Sequence, residues 1–511
     1  MNLPLLERAT EDGEQFALTP ADASPREARR APLTPGRMPE AGEQFRFHLD
    51  MSECIGCKCC VVACNEQNGN PADIQWRRVG EIEGGSYPDT MRLYLSMGCN
   101  HCLEPTCMTG CPVNAYTKDP LTGIVLHSAE RCIGCQYCTW NCSYGVPQFN
   151  PERGVVGKCD MCYGRLTDGR EPACVAACPE QAIRIEIVNQ EEWRSAYTAQ
   201  ANAPGLPSAD DSLSSTRVTI RHNVPDDIGR VDTSRVEPEH PHWPLVLMTV
   251  LTQMAVGAIT ALSISAALLP APASRWAALA IVAIAVFALG ASTLHLGRPA
   301  YAFRALSMWR RSWLSREVLF FSLFAAAVTF YAAVVWLRLP WSFAAGTAAS
   351  LLGAAGVYAS ARLYLVAARP AWNSMRTVFE FFLTAALTGM ALAANLSPNA
   401  KGGMLKAASA AAALIVAEQI FKLVRLLRSP AFELRASGEL LYHRFLFLFA
   451  TRLGALAVLA SVLAFGQGHG WIPPVCTLAA LALEISGRYL FFVSAVPKNM
   501  AAPYLDARRA A

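Results

Sequence analysis

The sequence predicts an α+β domain followed by an all-α bundle of eight transmembrane helices, and three observations support this division. All but one of the eighteen cysteines lie between residues 54 and 178. Short segments near those cysteines alternate apolar and polar residues, as strands do. Beyond residue 243 the chain becomes a series of apolar runs, each long enough to cross about 30 Å of hydrocarbon as a helix.

Sixteen of the cysteines fall into four groups of four with related spacing. The first and third groups read C-x2-C-x2-C-x3-C, while the second and fourth widen one interval and are followed by Pro112 and Pro179. Three closely spaced thiolates bind one four-iron cube, and the remote fourth cysteine binds the other cube of a pair. The pattern therefore predicts four [4Fe–4S] clusters and an electron-transfer domain. The predicted ligands are Cys54, Cys57, Cys60, Cys64, Cys99, Cys102, Cys107, Cys111, Cys132, Cys135, Cys138, Cys142, Cys159, Cys162, Cys174 and Cys178.

A structural zinc site and a disulfide framework are the alternatives for so many cysteines. Zinc sites usually take their four cysteines from two separated pairs, and disulfide frameworks belong to small secreted domains. A third cysteine soon after the first pair favours clusters over both. Cys59 and Cys476 fall outside the spacing, and we expect a bystander thiol and a small core residue, respectively.

The order strand, cysteine loop, short helix, strand occurs twice over, which is the pattern of ferredoxin-type repeats. We therefore expect a ferredoxin-like double dicluster domain over residues 45–190. The strands that the alternation predicts are 45–50, 92–95, 123–126 and 182–188.

The remaining segments are predicted to connect or flank the two domains. Residues 1–44 are expected to be a disordered tail, with no export signal because no apolar stretch follows Arg29 and Arg30. Residues 191–242 are expected to be a linker over the ferredoxin-like surface, with one strand candidate at 216–220. Residues 501–511 are the predicted C-terminal tail.

Eight apolar runs make up the predicted membrane domain, residues 243–500. Runs of this length and number disfavour the alternative, which is a buried helical bundle in a soluble protein. Tryptophans near several ends, among them Trp243 and Trp372, fit interfacial anchoring. The predicted spans are 244–269, 275–296, 316–337, 342–366, 376–396, 404–427, 444–465 and 472–496.

Basic residues are concentrated in the loops after the second, fourth and sixth spans. Since lysine and arginine collect in the cytoplasm, and an even number of spans returns the chain to one side, we expect the ferredoxin-like domain on the cytoplasmic side of the inner membrane. The alternative is that these arginines dock the cluster domain and give no orientation signal. The net charge of +4, without a basic stripe and interleaved aromatics, gives no indication of nucleic acid binding. The loop arginines are Arg298, Arg304, Arg310, Arg311, Arg369, Arg428 and Arg435.

Both halves of the sequence resemble a known family. The segments CNHCLEPTCMTGCP and RCIGCQYCTWNCSYGVPQFNPERGVVGKCDMCYGR are similar to the iron–sulfur subunit of the DMSO reductase family of molybdenum enzymes. Residues 295–321, 368–373 and 487–492 are similar to the membrane-anchor subunit of that family. The two subunits are normally separate chains, so the sequence resembles their fusion.

The resemblance implies which cysteines share a cluster, because the first group pairs with the fourth and the second with the third. Some relatives lose a cysteine of the third group and build a three-iron cluster. Cys138 is present here, so we expect four cubes. The implied sets are Cys54, Cys57, Cys60 and Cys178; Cys64, Cys159, Cys162 and Cys174; Cys99, Cys102, Cys107 and Cys142; and Cys111, Cys132, Cys135 and Cys138.

The resemblance also implies a separate catalytic subunit that holds a molybdopterin cofactor, since nothing in this chain is suited to bind it. The chain is then an electron-transfer and anchor subunit in anaerobic respiration, and it is not itself catalytic toward the final substrate. A DMSO reductase would draw electrons from quinol, whereas a cytoplasmic sulfite dehydrogenase would pass them to quinone. The expected cytoplasmic face slightly favours the second.

Quinone chemistry moves protons with electrons, so its site needs ionisable groups at the membrane edge nearest the clusters. His295, Arg298, Arg316 and Glu317 are the candidates by the predicted topology. His295 is the first candidate for the proton step because histidine titrates near neutral pH. The alternative for His295 is a histidine that caps its helix or pairs with a loop carboxylate.

Deeper ionisable residues are predicted to form structural ion pairs one helical turn apart, Glu484 with Arg488 and Arg376 with Glu380. A redox-linked ion-translocating membrane protein with a ferredoxin domain is the second functional hypothesis. It predicts an unbroken line of polar residues through the bundle, whereas the sequence shows scattered ones.

Overall fold

The computed structural model describes residues 32–200, 211–220, 224–230, 236–268, 274–397, 400–466 and 471–498. The predicted C-terminal tail and the first 31 residues of the predicted N-terminal tail lie outside these residues. Within them, a cysteine-rich α+β domain is followed by a helical domain, as the sequence predicts.

Ten short strands are described in the first domain, and they form four small sheets. The strands are β1 (Glu43–Asp50), β2 (Arg78–Ser86), β3 (Asp89–Met97), β4 (Tyr116–Lys118), β5 (Val125–His127), β6 (Gln148–Asn150), β7 (Val155–Gly157), β8 (Ile183–Asn189), β9 (Arg217–Thr219) and β10 (Gly229–Arg230). Their orders are β8–β1–β9, β10–β2–β3, β4–β5 and β6–β7. The four predicted strand regions are confirmed as β1, β3, β5 and β8, and the strand candidate at 216–220 is confirmed as β9.

Strand β1 lies at the centre of its sheet, between β8 and β9, and its two faces differ in polarity. Phe45, Phe47 and Leu49 are buried against the cluster region. On the opposite face Arg46 and His48 both contact Glu186 of β8, at 2.8 and 2.7 Å. The alternation therefore fixes the register, since a slip of one residue would exchange the two faces.

Six short helices lie between these strands, most of them directly after a cysteine loop. They are α1 (Cys59–Asn68), α2 (Thr106–Gly110), α3 (Tyr137–Asn141), α4 (Tyr163–Thr167), α5 (Ala173–Ala176) and α6 (Gln190–Gln200). Helix α6 lies at the start of the segment predicted as a linker, and the sequence analysis missed it. Trp193 and Tyr197, four residues apart, pack against Leu103 and Val188 and hold this helix on the domain.

The second domain consists of long apolar helices with short connections. The long helices are α7 (Trp243–Leu268), α8 (Arg275–Thr293), α9 (Trp313–Trp336), α10 (Ser342–Leu363), α11 (Met375–Leu396), α12 (Lys401–Leu427), α14 (Leu446–Phe465) and α15 (Ile472–Val493), with the short α13 (Phe432–Glu439) before α14. Seven of them are long and apolar enough to cross a membrane. Helix α12 is not among the seven, so the eight-span count is not confirmed. Its sequence carries more charged residues than the other seven, including Lys406, Glu418 and Lys422.

The long helices pack as two groups of four. Helices α7 to α10 form one group, and α11, α12, α14 and α15 form the other. The groups meet where Gly257 of α7 faces Gly389 of α11. A Cβ on Gly257 would lie 1.9 Å from the carbonyl oxygen of Ala385, so the two backbones are in direct contact. Small residues that allow such close approach are typical of helix interfaces in membranes.

Candidate iron–sulfur and quinone sites

Each cysteine group begins with the same local backbone structure. The residue before the second cysteine has a positive φ in all four groups, and its N–H donates to the sulfur of the first cysteine. Two of these residues are not glycine, although residues that carry a side chain seldom adopt a positive φ. A backbone that turns its N–H groups inward makes a concave site for an anion. The four residues are Gly56 (φ 72°), His101 (φ 41°), Gly134 (φ 69°) and Met161 (φ 60°).

The fold brings the cysteines of different groups together in four sets. Within each set, neighbouring thiols are close enough for the charge of one to raise the pKa of another, although burial is the larger cause. The sets agree with the pairing that the resemblance implies. We call them the first set (Cys54, Cys57, Cys60, Cys178), the second set (Cys64, Cys159, Cys162, Cys174), the third set (Cys99, Cys102, Cys107, Cys142) and the fourth set (Cys111, Cys132, Cys135, Cys138).

The thiols of two sets surround a cavity. Cavities are lined by all four thiols of the first set and all four of the third set. Within the described residues, no three histidine, cysteine or carboxylate side chains converge closely enough to hold one metal ion. Thiols spaced around a cavity fit a cube of iron and sulfide, in which each cysteine binds a different iron.

Burial makes these thiols poor acids on their own. It raises the pKa of Cys102, Cys135 and Cys174 to about 12, so each would be protonated at neutral pH without a bound cation. Metal binding takes the deprotonated form and releases the proton. The buried sets are therefore suited to hold a positively charged core, and not to act as free thiols.

The first set holds an exposed thiol, which none of the other three sets does. Cys57 and the neighbouring Cys59 are both exposed, so the bystander Cys59 has access to solvent. Ile55 and Val62 beside them are 56% and 62% exposed. Two large apolar side chains are therefore exposed next to the first set.

The fourth set lies against the membrane domain. The loop after α8 donates two backbone hydrogen bonds to the loop between Cys132 and Cys135. The N–H of Arg298 donates to the carbonyl oxygen of Ile133 at 3.1 Å, and the N–H of Gly297 donates to that of Gly134 at 3.3 Å. A Cβ on Gly297 would lie 2.2 Å from the oxygen of Gly154, so only glycine allows this approach. The contact joins the loop that holds Cys132 and Cys135 directly to the membrane domain.

Arginines of the same membrane loop bind the cluster domain. Arg298 donates to the oxygen of Ala129 at 2.8 Å, and Arg304 to the oxygen of Glu130 at 3.1 Å. Arg311 donates to Oδ1 of Asn114 at 3.1 Å. These contacts support the docking alternative for the three arginines, and they put Arg298 at the domain junction.

Glu317 lies just inside the membrane domain beside the fourth set. It is 4% exposed, and its Oε1 has no hydrogen-bond partner among the described residues. Tyr137, between Cys135 and Cys138 in the sequence, lies close enough to interact with both Glu317 and Cys135. Its hydroxyl donates to the oxygen of Leu363 at 2.9 Å. A buried carboxylate with an unused oxygen, next to the last set of thiols, can accept or donate a proton there.

His295 and Arg316 differ in how they relate to this site. Nδ1 of His295 contacts the oxygen of Ser292 on the preceding turn, and burial lowers the pKa of His295 to about 4. This backbone contact supports the capping alternative for one ring nitrogen and leaves Nε2 for other contacts. Arg316 donates to the oxygens of Trp309 and Arg310 at 3.0 and 2.7 Å, so it orders the loop and is not directed at Glu317.

The sequence analysis missed His242, which directly precedes α7. Burial lowers the pKa of His242 to about 4, and its ring lies close enough to His295 for the two charges to interact. The ring also lies 5.3 Å from that of Trp140, two residues after Cys138. Its position at a predicted membrane boundary on the cluster side was the available signal.

Trp140 is the centre of an aromatic cluster that the sequence analysis also missed. Its ring centroid lies 5.9 Å from that of Tyr364 and 5.5 Å from that of Trp372. Trp372 is 2% exposed, so its interpretation as an interfacial anchor was wrong. The cluster fills the space between the fourth set and the ends of α10, α11 and α15.

The deeper ionisable residues form pairs between helices. Glu484 accepts from Arg452 of α14 at 2.9 Å, and Glu380 accepts from Lys422 of α12 at 2.8 Å. The predicted pairing within single helices was wrong, because the nearest opposite charge lies on a neighbouring helix. Arg488 instead donates to Gln253 of α7 at 3.0 Å and covers the ring of Phe381.

Comparison with known proteins agrees with this architecture. Residues 90–187 match the model of the 4Fe-4S dicluster domain, and residues 237–491 match that of the DMSO reductase anchor subunit (DmsC). The chain is 36% identical over 177 residues to a chain of the anaerobic dimethyl sulfoxide reductase of Haemophilus influenzae, and the alignment covers 33% of this chain and 85% of that protein.

Two further relatives are named as a chain of a dimethyl sulfoxide reductase and a subunit of a sulfite dehydrogenase. A probable anaerobic dimethyl sulfoxide reductase chain of Escherichia coli K12, YnfG, is 37% identical over 174 residues, 32% of this chain and 83% of that protein. A subunit of the sulfite dehydrogenase of Allochromatium vinosum is 36% identical over 160 residues, 27% of this chain and 67% of that protein. These alignments cover about a third of this chain or less.

Proposed function

Because the chain belongs to the family of DMSO reductase-type iron–sulfur subunits and continues into a DMSO reductase anchor domain, we propose that it passes electrons through four [4Fe–4S] clusters between a molybdopterin-containing subunit and membrane quinone. Electron transfer and membrane anchoring are the roles of the two halves that this chain joins. The number of clusters, the quinone and the nature of the partner are the proposed parts.

The observation that supports the proposal most is the direct contact between the fourth set and the membrane domain. The loop of Cys132 and Cys135 shares two backbone hydrogen bonds with residues 297 and 298. Glu317 and His295 lie on the membrane side of the same junction. An electron that reaches the fourth set would therefore be next to Glu317, which can exchange a proton as quinone reduction and quinol oxidation both require. The lowered pKa of His295 keeps its ring neutral near pH 7, so it is the weaker candidate for this step.

Each part of the chain has a separate task in this proposal. The cubes would supply one-electron carriers, and the cysteine loops with their inward N–H groups would hold them. Glu317, with an oxygen that no described residue engages, would accept or donate the proton at the quinone. Arg298 and Arg304 would keep the fourth set against the membrane domain. The exposed apolar side chains Ile55 and Val62 would bind the catalytic subunit.

We further propose that the cluster domain lies on the cytoplasmic side of the inner membrane and that α12 is the eighth span. Helix α12 packs between α11 and α14, with Leu405 and Ile415 buried among their apolar side chains. The loops after α8, α10 and α12 all lie on the side of the cluster domain. A membrane-impermeant thiol reagent tests the orientation at Tyr87→Cys in a Cys59→Ser chain, because Tyr87 is 93% exposed whereas Cys59 lies on the surface proposed to bind the catalytic subunit. Labelling in inverted vesicles but not in spheroplasts supports a cytoplasmic face, and the reverse pattern contradicts it.

Purification of the full chain with its partner in mild detergent tests the main proposal. About sixteen irons per chain, a molybdopterin subunit and quinone-linked turnover are expected. Sulfite oxidation and DMSO reduction, assayed side by side, decide the direction. The relatives named for both activities support either one, and the expected cytoplasmic face favours sulfite oxidation. A preparation with zinc in place of iron would contradict the proposal.

One observation favours the second hypothesis, a redox-linked ion-translocating protein. Glu380, Glu418, Glu484, Arg452 and Arg488 surround one cavity inside the second group of helices. Buried ionisable groups in membrane helices are candidates for ion pathways. Charge movement across vesicles during turnover would support this hypothesis, and turnover without charge movement would leave electron transfer as the sole function.

A further inference from the structure

Two basic side chains are buried between neighbouring sets of thiols. Arg77 is 2% exposed and Lys158 is 3% exposed. In the part of the chain that the structure describes, neither has a carboxylate within salt-bridge distance. A buried charge without a partner is strongly unfavourable, so another negative group must compensate each of them.

Arg77 lies between the first and second sets. Its Nη1 donates to Oγ of Ser96 at 3.0 Å, and the same Oγ lies 3.4 Å from the sulfur of Cys60 in the first set. Cys64, Cys159 and Cys174 of the second set also lie close enough for their charges to act on Arg77 once they are deprotonated. Its Nη2 is buried and has no partner among the described residues. Negatively charged clusters on both sides would compensate this guanidinium.

Lys158 occupies the corresponding place between the second and third sets. Its Nζ lies 3.7 Å from the sulfur of Cys99 in the third set. It donates to the backbone oxygen of Cys159 in the second set at 2.7 Å, and to the oxygen of Val125. The ammonium is therefore held between the two sets by backbone oxygens, with a thiol of the third set in direct contact.

We propose that Arg77 and Lys158 compensate the negative charge of the clusters beside them and raise the reduction potentials of those clusters. A cube becomes more negative when it takes up an electron, so a fixed cation nearby favours the reduced form. The second set lies between both cations and is affected by both. This inference rests on the proposed function, because it requires clusters in the sets.

The expected effect is large enough to measure. A unit charge about 7 Å from a cluster, at an effective dielectric constant of about 20, changes its redox equilibrium by more than tenfold. A tenfold change corresponds to about 59 mV for a one-electron couple. Loss of Arg77 should lower the potentials of the first and second clusters by at least that amount, and loss of Lys158 those of the second and third.

Redox titration of the purified complex, followed by low-temperature electron paramagnetic resonance, tests the proposal. Arg77→Met and Lys158→Met remove the charges, and Arg77→Lys and Lys158→Arg retain them. The matched control is Arg46→Met, which removes a cation of similar burial that Glu186 already neutralises at 2.8 Å. We expect each Met variant to lower the potentials of two clusters, and the second cluster should be lowered in both variants. The charge-retaining and control variants should keep potentials near those of the wild type.

Four other results are decisive. Iron retained in the Met variants with unshifted potentials would overturn the proposal. Iron lost from a Met variant but kept in its charge-retaining variant would support charge compensation, because the positive charge is what the second variant keeps and the Met variant lacks. Iron lost from both would overturn it in favour of a packing role. An absence of iron from the wild-type chain would instead refute the proposed function itself.

Discussion

Substitution of Glu317 by glutamine is the sharpest test of the quinone end. Glutamine keeps the size of the side chain and its contact with Ser360, but it cannot accept a proton. General acid–base groups contribute about 10²- to 10⁴-fold to rate, which is roughly 3 to 5 kcal/mol at 1.36 kcal/mol per decade. Since Glu317 is 4% exposed, water has little access to replace it. We therefore expect quinone-linked turnover to fall by at least about 100-fold.

The assay separates the quinone step from the rest of the chain. Steady-state turnover with a soluble quinone analogue should fall, whereas reduction of the clusters by dithionite should be unchanged. Glu418→Gln is the matched control, because Glu418 is 6% exposed, lies on α12 and also has one carboxylate oxygen without a hydrogen-bond partner in the described chain. Electron transfer without ion translocation gives Glu418 no part in turnover, so this control should keep its turnover. Turnover that stays within a factor of about three in Glu317→Gln, or falls equally in both variants, would refute the assignment of Glu317.

Three further predictions concern the fourth set, the helix interface and the domain junction. Cys138→Ser should lower the iron content from about sixteen per chain and impair quinone-linked turnover, since the fourth set would lose one ligand; full iron content would contradict the assignment. Gly389→Ala should destabilise the bundle in detergent by about 1–3 kcal/mol in thermal unfolding, because the new Cβ would lie 2.3 Å from the backbone of Gly257. Gly454→Ala, with no atom within 4 Å, should not destabilise it. Arg298→Ala should weaken the domain junction by about 1–3 kcal/mol and speed proteolysis there, because the oxygen of Ala129 loses its charged donor; unchanged cleavage would argue against docking.

The cysteine spacing and the long apolar runs were sufficient to predict the two-domain order and all eight long helices. Both signals are local, since three of the four ligands of each cube and all residues of a span lie close in sequence. Helix α12 carries charged residues that bind neighbouring helices, and these residues reduce its apolar character below that of the other seven long helices. Lys422 pairs with Glu380 of α11, which no feature of either helix alone indicates.

The surroundings of the proposed quinone site could not be predicted from the sequence, because they are formed by contacts between distant segments. Tyr137 and Glu317 are 180 positions apart in the sequence, and only the docking of the two domains brings them together. The same docking buries Trp372, which otherwise has the position of an interfacial tryptophan. Arg77 gave no signal either, because a single arginine directly before an ordinary strand becomes notable only when two sets of thiols surround it.

Reoxidation by quinone tests the account most directly. The purified chain in lipid bilayers is reduced with dithionite, freed of excess reductant and mixed with a quinone while the electron paramagnetic resonance signals of the clusters are followed. The account predicts that the signals of all four clusters disappear on mixing. Signals that persist in the presence of quinone, in a chain with its full iron content, would contradict an electron path from the cysteine sets to the membrane.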